Sequence, residues 1–387
     1  MGKTTSCLDD IRRGITDIDQ RLIKLLAKRR EFSLEVAKYK VEANKPIRDL
    51  EREQTLLHAL IQIGESEQLE EQYITKIFHA IIEDSVLHQQ RYLQRLNNAD
   101  NPLPITTVAF LGDIGSYSYL AAKGFFARRH TKQQPVHCVS FKQVLEQVGI
   151  GHADFGVLPI ENTSSGSINE VYDLLQQTPL AIVGEITQPI EHELLVAMDT
   201  ELDEIKTIYS HPQPYQQCSE FLRSLNAVSV KSCASSIEAI AKVATLASKE
   251  VAAIGCIQSG EIYGLRSLKK GIANQIENYT RFIIVARKAI DVSALVLAKT
   301  TFIMSTPQHT GALVDCLLVL KKYSINMTKL ESRPVIGRPW EEMFYVDVES
   351  NVRSKEMQLA LAELQLVTQY IKVLGCYPME NVQQVAI

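Results

Sequence analysis

The sequence predicts a multidomain chain: an all-α N-terminal segment, an α/β middle segment and a ferredoxin-like βαββαβ C-terminal segment. Three observations carry this reading. A chain of 387 residues exceeds what one hydrophobic core usually fills. No proline precedes Pro46 and none follows it until Pro102, so the first hundred residues can be helical almost throughout. After residue 105, short apolar runs bounded by turns replace long helical periodicity.

Composition narrows the function classes. The chain is 45% hydrophobic and 22% charged, as packed globular domains are. A net charge of −4 and a pI near 6.2 leave no basic footprint for nucleic acid. No apolar run reaches the roughly 20 residues that a membrane span needs. MGKTTSCLDD lacks the apolar core of a secretory signal. Seven dispersed cysteines without Cys-x-x-Cys spacing predict reduced thiols, a cytoplasmic location and no metal. No cofactor, nucleic acid or membrane partner is expected.

The first helix has a strict seam. Leu8, Ile11, Ile15, Ile18, Leu22 and Leu25 follow alternating steps of three and four. The seam then reaches Arg29, Phe32, Val36 and Lys40. A charge at the centre of an apolar seam needs an anionic partner or must snorkel to water. A second helix starts after Pro46, with Glu53 on the face of Leu56, Leu57 and Leu60. Asp49 can meet Arg52 and Glu53 on adjacent turns. In the third helix Ile74, Phe78 and Ile81 lead into Ser85 and Gln89. Helices that aim such groups inward build either a buried network or a polar pocket. A first helix from Leu8 to Lys40 is about 50 Å long, more than two shorter helices can cover. The uncovered seam predicts pairing with a second copy, and Arg12 on its flank could reach into that copy.

These residues resemble the AroQ class of chorismate mutase, together with KPIRDLEREQTLL (45–57) and IIEDSVLHQQ (81–90). The resemblance implies that Arg29, and Arg12 from the partner, hold the two carboxylates of chorismate, with Arg52 in support. It implies Lys40 and Gln89 at the ether oxygen, Glu53 and Asp49 at the ring hydroxyl or its neighbours, and Ser85 in the same pocket. Lys40, Glu53 and Gln89 are the catalytic candidates.

In the middle segment, TVAFLG (107–112), FGVLPI (155–160), LAIVGEI (180–186) and VAAIG (251–255) read as buried strands. Polar loops follow them: GDIGSYS, ENTSSGS, YSHPQPYQQC (209–218) and NYTRF (278–282). In open α/β sheets such loops beyond strand ends hold ligands, although each alone is also an ordinary loop. With SCASS (232–236) they closely resemble prephenate dehydratase. That family implies two α/β subdomains about a cleft. It implies Thr280 as the main catalytic candidate and Glu161, Asn162, Ser210, Gln217 and Arg281 around prephenate. GDIGSYS lacks a proline that many members carry after the first glycine.

In the last segment TTFIMS (300–305), GALVDCLLVLKKY (311–323), INMTKLESR (325–333), EMFYVDVE (342–349), SKEMQLALAELQLVT (354–368) and YIKVLG (370–375) read as β, α, β, β, α and β. The segment resembles an ACT domain. GALV, which is Gly311, Ala312, Leu313 and Val314, and ESRP, which is Glu331, Ser332, Arg333 and Pro334, resemble phenylalanine-sensing motifs of the dehydratase family.

The expected boundaries are 1–97, 105–288 and 299–387, with NNADNPLP (97–104) as a linker. The whole chain resembles the bifunctional chorismate mutase/prephenate dehydratases. That implies conversion of chorismate to prephenate and on to phenylpyruvate, inhibition by L-phenylalanine, and a homodimer or larger homo-oligomer. Two rivals are weighed. A mutase fused to a dehydrogenase needs a G-x-G-x-x-G after a strand, which is missing from the sequence. A regulatory protein that binds without turnover has no use for Arg29, Lys40, Glu53, Gln89 and Thr280 together.

Overall fold

The structure, a computed structural model, describes residues 8–98, 105–127, 132–225, 228–275, 277–335, 337–338 and 340–379. Of the linker read at 97–104, residues 99–104 lie outside the described residues, as does the N-terminal stretch 1–7.

Three helices come first: α1 (Leu8–Glu42), α2 (Leu50–Ser66) and α3 (Glu71–Asn97). The Asp49 carboxylate caps α2 by accepting from Arg52 N at 3.0 Å, so the helix starts three residues later than Pro46 suggests. Leu57, Ile61 and Ile74 close the contact between α2 and α3. A Cβ on Gly64 would stand 2.6 Å from Ile74 Cγ1, so only glycine permits this approach.

The next stretch alternates strand and helix. It runs β1 (Ile105–Leu111), α4 (Tyr117–Ala127), β2 (Lys132–Cys138), α5 (Phe141–Gly149), β3 (Phe155–Asn162), the short β4 (Gly166–Ser167), α6 (Asn169–Gln177) and β5 (Ala181–Pro189). The chain then crosses into a second sheet with β6 (Glu193–Val196), β7 (Thr207–Ser210), α7 (Pro212–Gln217), α8 (Ser219–Ser224), β8 (Ser229–Ser232), α9 (Ser236–Leu246), β9 (Val251–Gly255), α10 (Ile257–Ile262) and β10 (Arg266–Lys269). It returns to the first sheet with β11 (Tyr279–Ala286). The first sheet is ordered β2-β1-β3-β11-β5, with β4 on β3; the second is β10-β6-β9-β7-β8. Both are mixed: β1 is parallel to β2 and β3, whereas β11 is antiparallel to β3 and β5. The middle segment is thus two α/β subdomains joined by two crossings. The crossings bond to each other, Ile190 N to Asn278 O at 2.8 Å and Ile272 N to His192 O at 3.3 Å.

Two sequence readings are corrected here. NYTRF is no loop: Tyr279–Phe282 opens β11, a central strand. YSHPQPYQQC is the end of β7 and the helix α7, which starts at Pro212 behind the His211 cap.

The chain ends with β12 (Ala298–Ser305), α11 (Ala312–Lys322), β13 (Met327–Pro334), β14 (Glu342–Val348), α12 (Lys355–Val367) and β15 (Tyr370–Pro378). The order is βαββαβ, and the antiparallel sheet runs β13-β14-β12-β15, the ferredoxin-like plan. This unit shares its core with its neighbours. Ile303, Met343, Tyr345, Leu374 and Tyr377 pack in one cluster with Leu158, Tyr172 and Ile182 of the first subdomain. Val292 and Val296, between β11 and β12, pack with Ala37, Ile47, Ile82 and Val86 of the helical unit.

Candidate active sites

The inner faces of α1–α3 gather most of the singled-out polar groups. Arg29 Nη1 donates to the Ile81 carbonyl at 3.2 Å and to Ser85 Oγ. Burial pushes its guanidinium pKa down, against the opposing charge of Asp84. Ser33 lies one turn after Arg29. Its hydroxyl donates to the Ser85 carbonyl at 3.2 Å and accepts from Gln89 Nε2 at 3.1 Å. Gln89 Oε1 is buried with no hydrogen-bond partner. At the far end of α1, Lys40 Nζ donates to the Ile47 carbonyl. Burial lowers the ammonium pKa, while Asp49 and Glu53 pull it back up. Glu53 pairs with Arg48 at 3.2 Å. Thus α1 and α3 hold Arg29, Ser85 and Gln89, and the α1–α2 turn holds Lys40 near Asp49 and Glu53. Arg52 is exposed beside this set, and its backbone N–H serves the Asp49 cap.

Arg12 is elsewhere. It lies about 26 Å along α1 from Arg29, at 1.5 Å per residue, and its side chain is 69% exposed beside Asp9. Sequence reasoning missed Ser33 and Arg48. Ser33 follows Arg29 by one helical turn, a spacing that could have found it.

The second cluster lies where the subdomains meet. Thr280, near the start of β11, is buried. Its Oγ1 accepts from Asn162 Nδ2 at 2.9 Å, which leaves the Thr280 proton to be donated. The same amide donates to Asn278 Oδ1 at 2.7 Å and to the Tyr279 carbonyl at 3.0 Å. Asn162 Oδ1 accepts from Ser164 N and Ser165 N, both at 2.9 Å. One asparagine therefore ties the turn after β3 to the start of β11. A cavity of about 360 Å³ opens beside it, lined by Ser164, Ser165, Gln213, Gln217 and Asn278. Gln217 Oε1 lies 2.7 Å from His192 Nε2. Ser210 is buried and donates to the next carbonyl, His211 O, at 2.9 Å, so its hydroxyl is turned onto its own backbone.

Glu161 and Arg281 point the other way. Successive strand residues face opposite sides, so Asn162 and Thr280 take one face of the β3–β11 pair and Glu161 and Arg281 the reverse. There Arg281 pairs with Glu161 at 2.8 Å, Glu185 at 3.1 Å and Asp347 of β14 at 2.5 Å. Lys329 of β13 reaches Glu161 at 2.7 Å, and Lys299 of β12 reaches Glu185 at 2.5 Å. Burial opposes the Arg281 charge, but the surrounding anions, Asp347 foremost, raise its pKa overall. The two residues expected around a dianionic ligand line a cavity of about 320 Å³ with Asn162, Thr163, Thr187 and Tyr279, and they also fasten the C-terminal sheet to the strand that carries Thr280. Asp347→Asn keeps the shape and removes one charge of this buried set. We expect about 2–3 kcal/mol lower stability in urea unfolding.

The C-terminal motifs are also placed. Glu331 accepts from Ser167 Oγ at 2.6 Å, and Arg333 grips Asp173 of α6 through two bonds at 2.9 and 2.8 Å. Ser332 and Pro334 face solvent. Gly311, at φ +87°, starts α11 in the left-handed region that favours glycine. Ala312 is buried, Leu313 half-buried and Val314 exposed. Among the described residues no hydrogen bond joins Gly311–Val314 to Glu331–Pro334. No group of metal-ligating side chains and no helix long and apolar enough to cross a membrane occurs among the described residues.

Comparison with known proteins adds to this geometry. Residues 108–290 match the prephenate dehydratase family and residues 11–90 the chorismate mutase type II family. A bifunctional chorismate mutase/prephenate dehydratase of Enterobacter agglomerans is 52% identical over 96% of either chain. One from Escherichia coli K12 is 51% identical, again over 96% of both. The prephenate dehydratase of Arthrobacter aurescens, solved in complex with L-Phe, covers 71% of this chain and 90% of its own, at 27% identity and a TM-score of 0.61.

Proposed function

This chain belongs to the bifunctional chorismate mutase/prephenate dehydratase family, and from that premise we propose which of its residues perform each step. The enzyme rearranges chorismate to prephenate and converts prephenate to phenylpyruvate. What carries this is that both family matches lie in one chain, at 51–52% identity to relatives of the same two-part name. The test is to supply chorismate to the purified protein and follow phenylpyruvate. A chain that stopped at prephenate, or left chorismate untouched, would contradict it.

The proposed units are 1–97 for the mutase, 105–288 for the dehydratase and 299–387 for an ACT-type sensor. Chorismate rearranges without a nucleophile or proton transfer, so catalysis consists of holding the reactive conformer and stabilising charge on the breaking ether oxygen. Arg29 holds one carboxylate with Ser85 beside it. Lys40 supplies a point charge to the ether oxygen. Exchanging the O and N of the Gln89 amide puts a donor at its orphaned position, with the Ser33 hydroxyl turned from the Ser85 carbonyl to donate to the amide oxygen. Asp49 and Glu53 receive the ring hydroxyl, and Arg52 supports the carboxylate side. Arg12 cannot reach Arg29 of its own chain and belongs to the pocket of a second copy. The exposed seam supports that copy: Leu8, Ile11, Ile15, Ile18, Leu22 and Leu25 are each 49–64% exposed. Burying what remains of six such side chains contributes about 5–9 kcal/mol.

Prephenate loses its ring hydroxyl and carbon dioxide together, and aromatisation drives the loss. The Thr280 hydroxyl is the proton donor to the departing oxygen, and the Asn162 N–H stabilises the charge left on Oγ1. Gln217 and Asn278 line the cavity for the rest of the substrate. Glu161 and Arg281 serve the substrate from the adjoining cavity that they line with Asn162, and the buried Ser210 belongs to the same prephenate set.

L-Phenylalanine, the ligand of the Arthrobacter relative, is the proposed effector, held between sensors of two copies by GALV and ESRP. The free, buried thiols of the six described cysteines suit the reducing cytosol. Val314→Lys places a charge at the exposed edge of this site. The phenylalanine concentration for half-inhibition should rise at least about tenfold, equivalent to about 1.4 kcal/mol. An unmoved midpoint would place the effector elsewhere.

A further inference from the structure

One buried titratable group has no part in either reaction so far. His192 lies on the first crossing between the subdomains and is 2% exposed. Its Nε2 is 2.7 Å from Gln217 Oε1 of α7, and its Nδ1 is 3.4 Å from Tyr117 Oη of α4. The two rings meet edge to face with centroids 6.3 Å apart. Tyr117 Oη also donates to the Glu191 carbonyl at 3.0 Å. The His192 carbonyl accepts from Ile272 N on the second crossing. The imidazole is therefore held from both subdomains, and the backbone of His192 from the second crossing.

With the Gln217 amide oxygen turned to the ring, as it stands here, that oxygen only accepts, which puts the proton of the His192–Gln217 pair on Nε2. Burial pushes the imidazole pKa down, partly offset by the Gln217 bond, which keeps the ring neutral, and its Nδ1 lone pair shares the single Tyr117 proton with the Glu191 carbonyl. The consequence falls on Gln217. With Oε1 occupied by His192, the two hydrogens of its NH2 group remain for the cavity that Gln217 lines. Prephenate is a dianion whose carboxylates and ketone accept hydrogen bonds, so an amide turned the other way would set oxygen against oxygen.

We propose that His192 is a positioning residue for dehydration, fixing the Gln217 amide so that it presents donors to prephenate. The inference rests on the placing of Gln217 in the prephenate pocket, and its test separates the two. The full chain is assayed with prephenate as His192→Phe, His192→Gln, Gln217→Ala and the His192→Phe/Gln217→Ala double variant. Thermal unfolding of each sample beside the unaltered chain reports that the dehydratase unit is folded.

His192→Phe, similar in size but without a donor, should lower kcat/KM for prephenate at least about tenfold, mainly through KM. His192→Gln, whose terminal N–H can take the place of Nε2–H, should recover most of it. In the Gln217→Ala background, His192→Phe should change nothing further, because its effect passes through Gln217. Additive losses, or no rescue by glutamine, would make His192 a packing residue and overturn the inference while leaving Gln217 in the pocket. If Gln217→Ala itself left kcat/KM unchanged, the placing of Gln217 and the role of His192 would fall together. Should His192→Phe not fold, His192→Gln is compared with His192→Asn, whose shorter amide cannot reach Gln217. Equal activity of those two variants overturns the proposal, and loss in His192→Asn alone supports it.

Discussion

Lys40→Ala is expected to lower mutase turnover by at least about a hundredfold, the usual cost of removing one group aimed at charge developing in a transition state. The lysine sits at the α1–α2 turn with its ammonium on the Ile47 carbonyl and the carboxylates of Asp49 and Glu53 nearby. It is a compact charge held by one backbone oxygen, free to swing to a substrate oxygen that gains charge only as the bond breaks. The loss should therefore appear in kcat rather than in KM. Prephenate supplied directly should be dehydrated at the ordinary rate, because the dehydratase cluster lies in another unit of the chain. Near-normal mutase turnover in this variant would remove Lys40 from the chemistry.

Thr280→Ala should abolish most phenylpyruvate formation, by about a hundredfold or more, as for loss of a proton-transferring group. Thr280→Ser should keep part of the activity. The serine hydroxyl can still accept from Asn162 Nδ2, which now stands 2.9 Å from the threonine oxygen. The missing methyl frees its rotamer, so activity should fall between the two extremes. Fed with chorismate, the alanine variant should accumulate prephenate. Equal, high activity in both variants would show that the hydroxyl takes no part.

The candidate helical site was legible because charge interrupted an apolar period. Arg29 and Lys40 follow six aliphatic residues on one seam, and Ser85 and Gln89 continue the stripe of Ile74, Phe78 and Ile81. The C-terminal order βαββαβ was equally plain, since each strand there is seven to nine residues long. The second subdomain was not: β6, β7, β8 and β10 have four residues each, too few to establish a period. β11 was misread at its start because both of its faces are polar there. Thr280 turns to Asn162 and Arg281 to Asp347 of the C-terminal sheet, so the alternation that marks a half-buried strand is missing until Phe282. The true partners of Arg281 and Glu161 include Asp347 and Lys329, on strands of another unit. No local pattern announces them, and a resemblance that aligns residue types does not say which face they take. His192 gave no signal either, being one histidine in a short polar stretch.

The central claim is that one chain carries two separate sites acting in series through released prephenate. It is tested most directly by mixing the Lys40→Ala and Thr280→Ala proteins, each unable to take chorismate to phenylpyruvate at an appreciable rate. A single time course with chorismate should show prephenate formed first, by the protein with the intact mutase. Phenylpyruvate should then appear at close to half the rate given by the same total amount of unaltered enzyme. A mixture that stays as inactive as its components, while Thr280→Ala alone still consumes chorismate, would contradict the account.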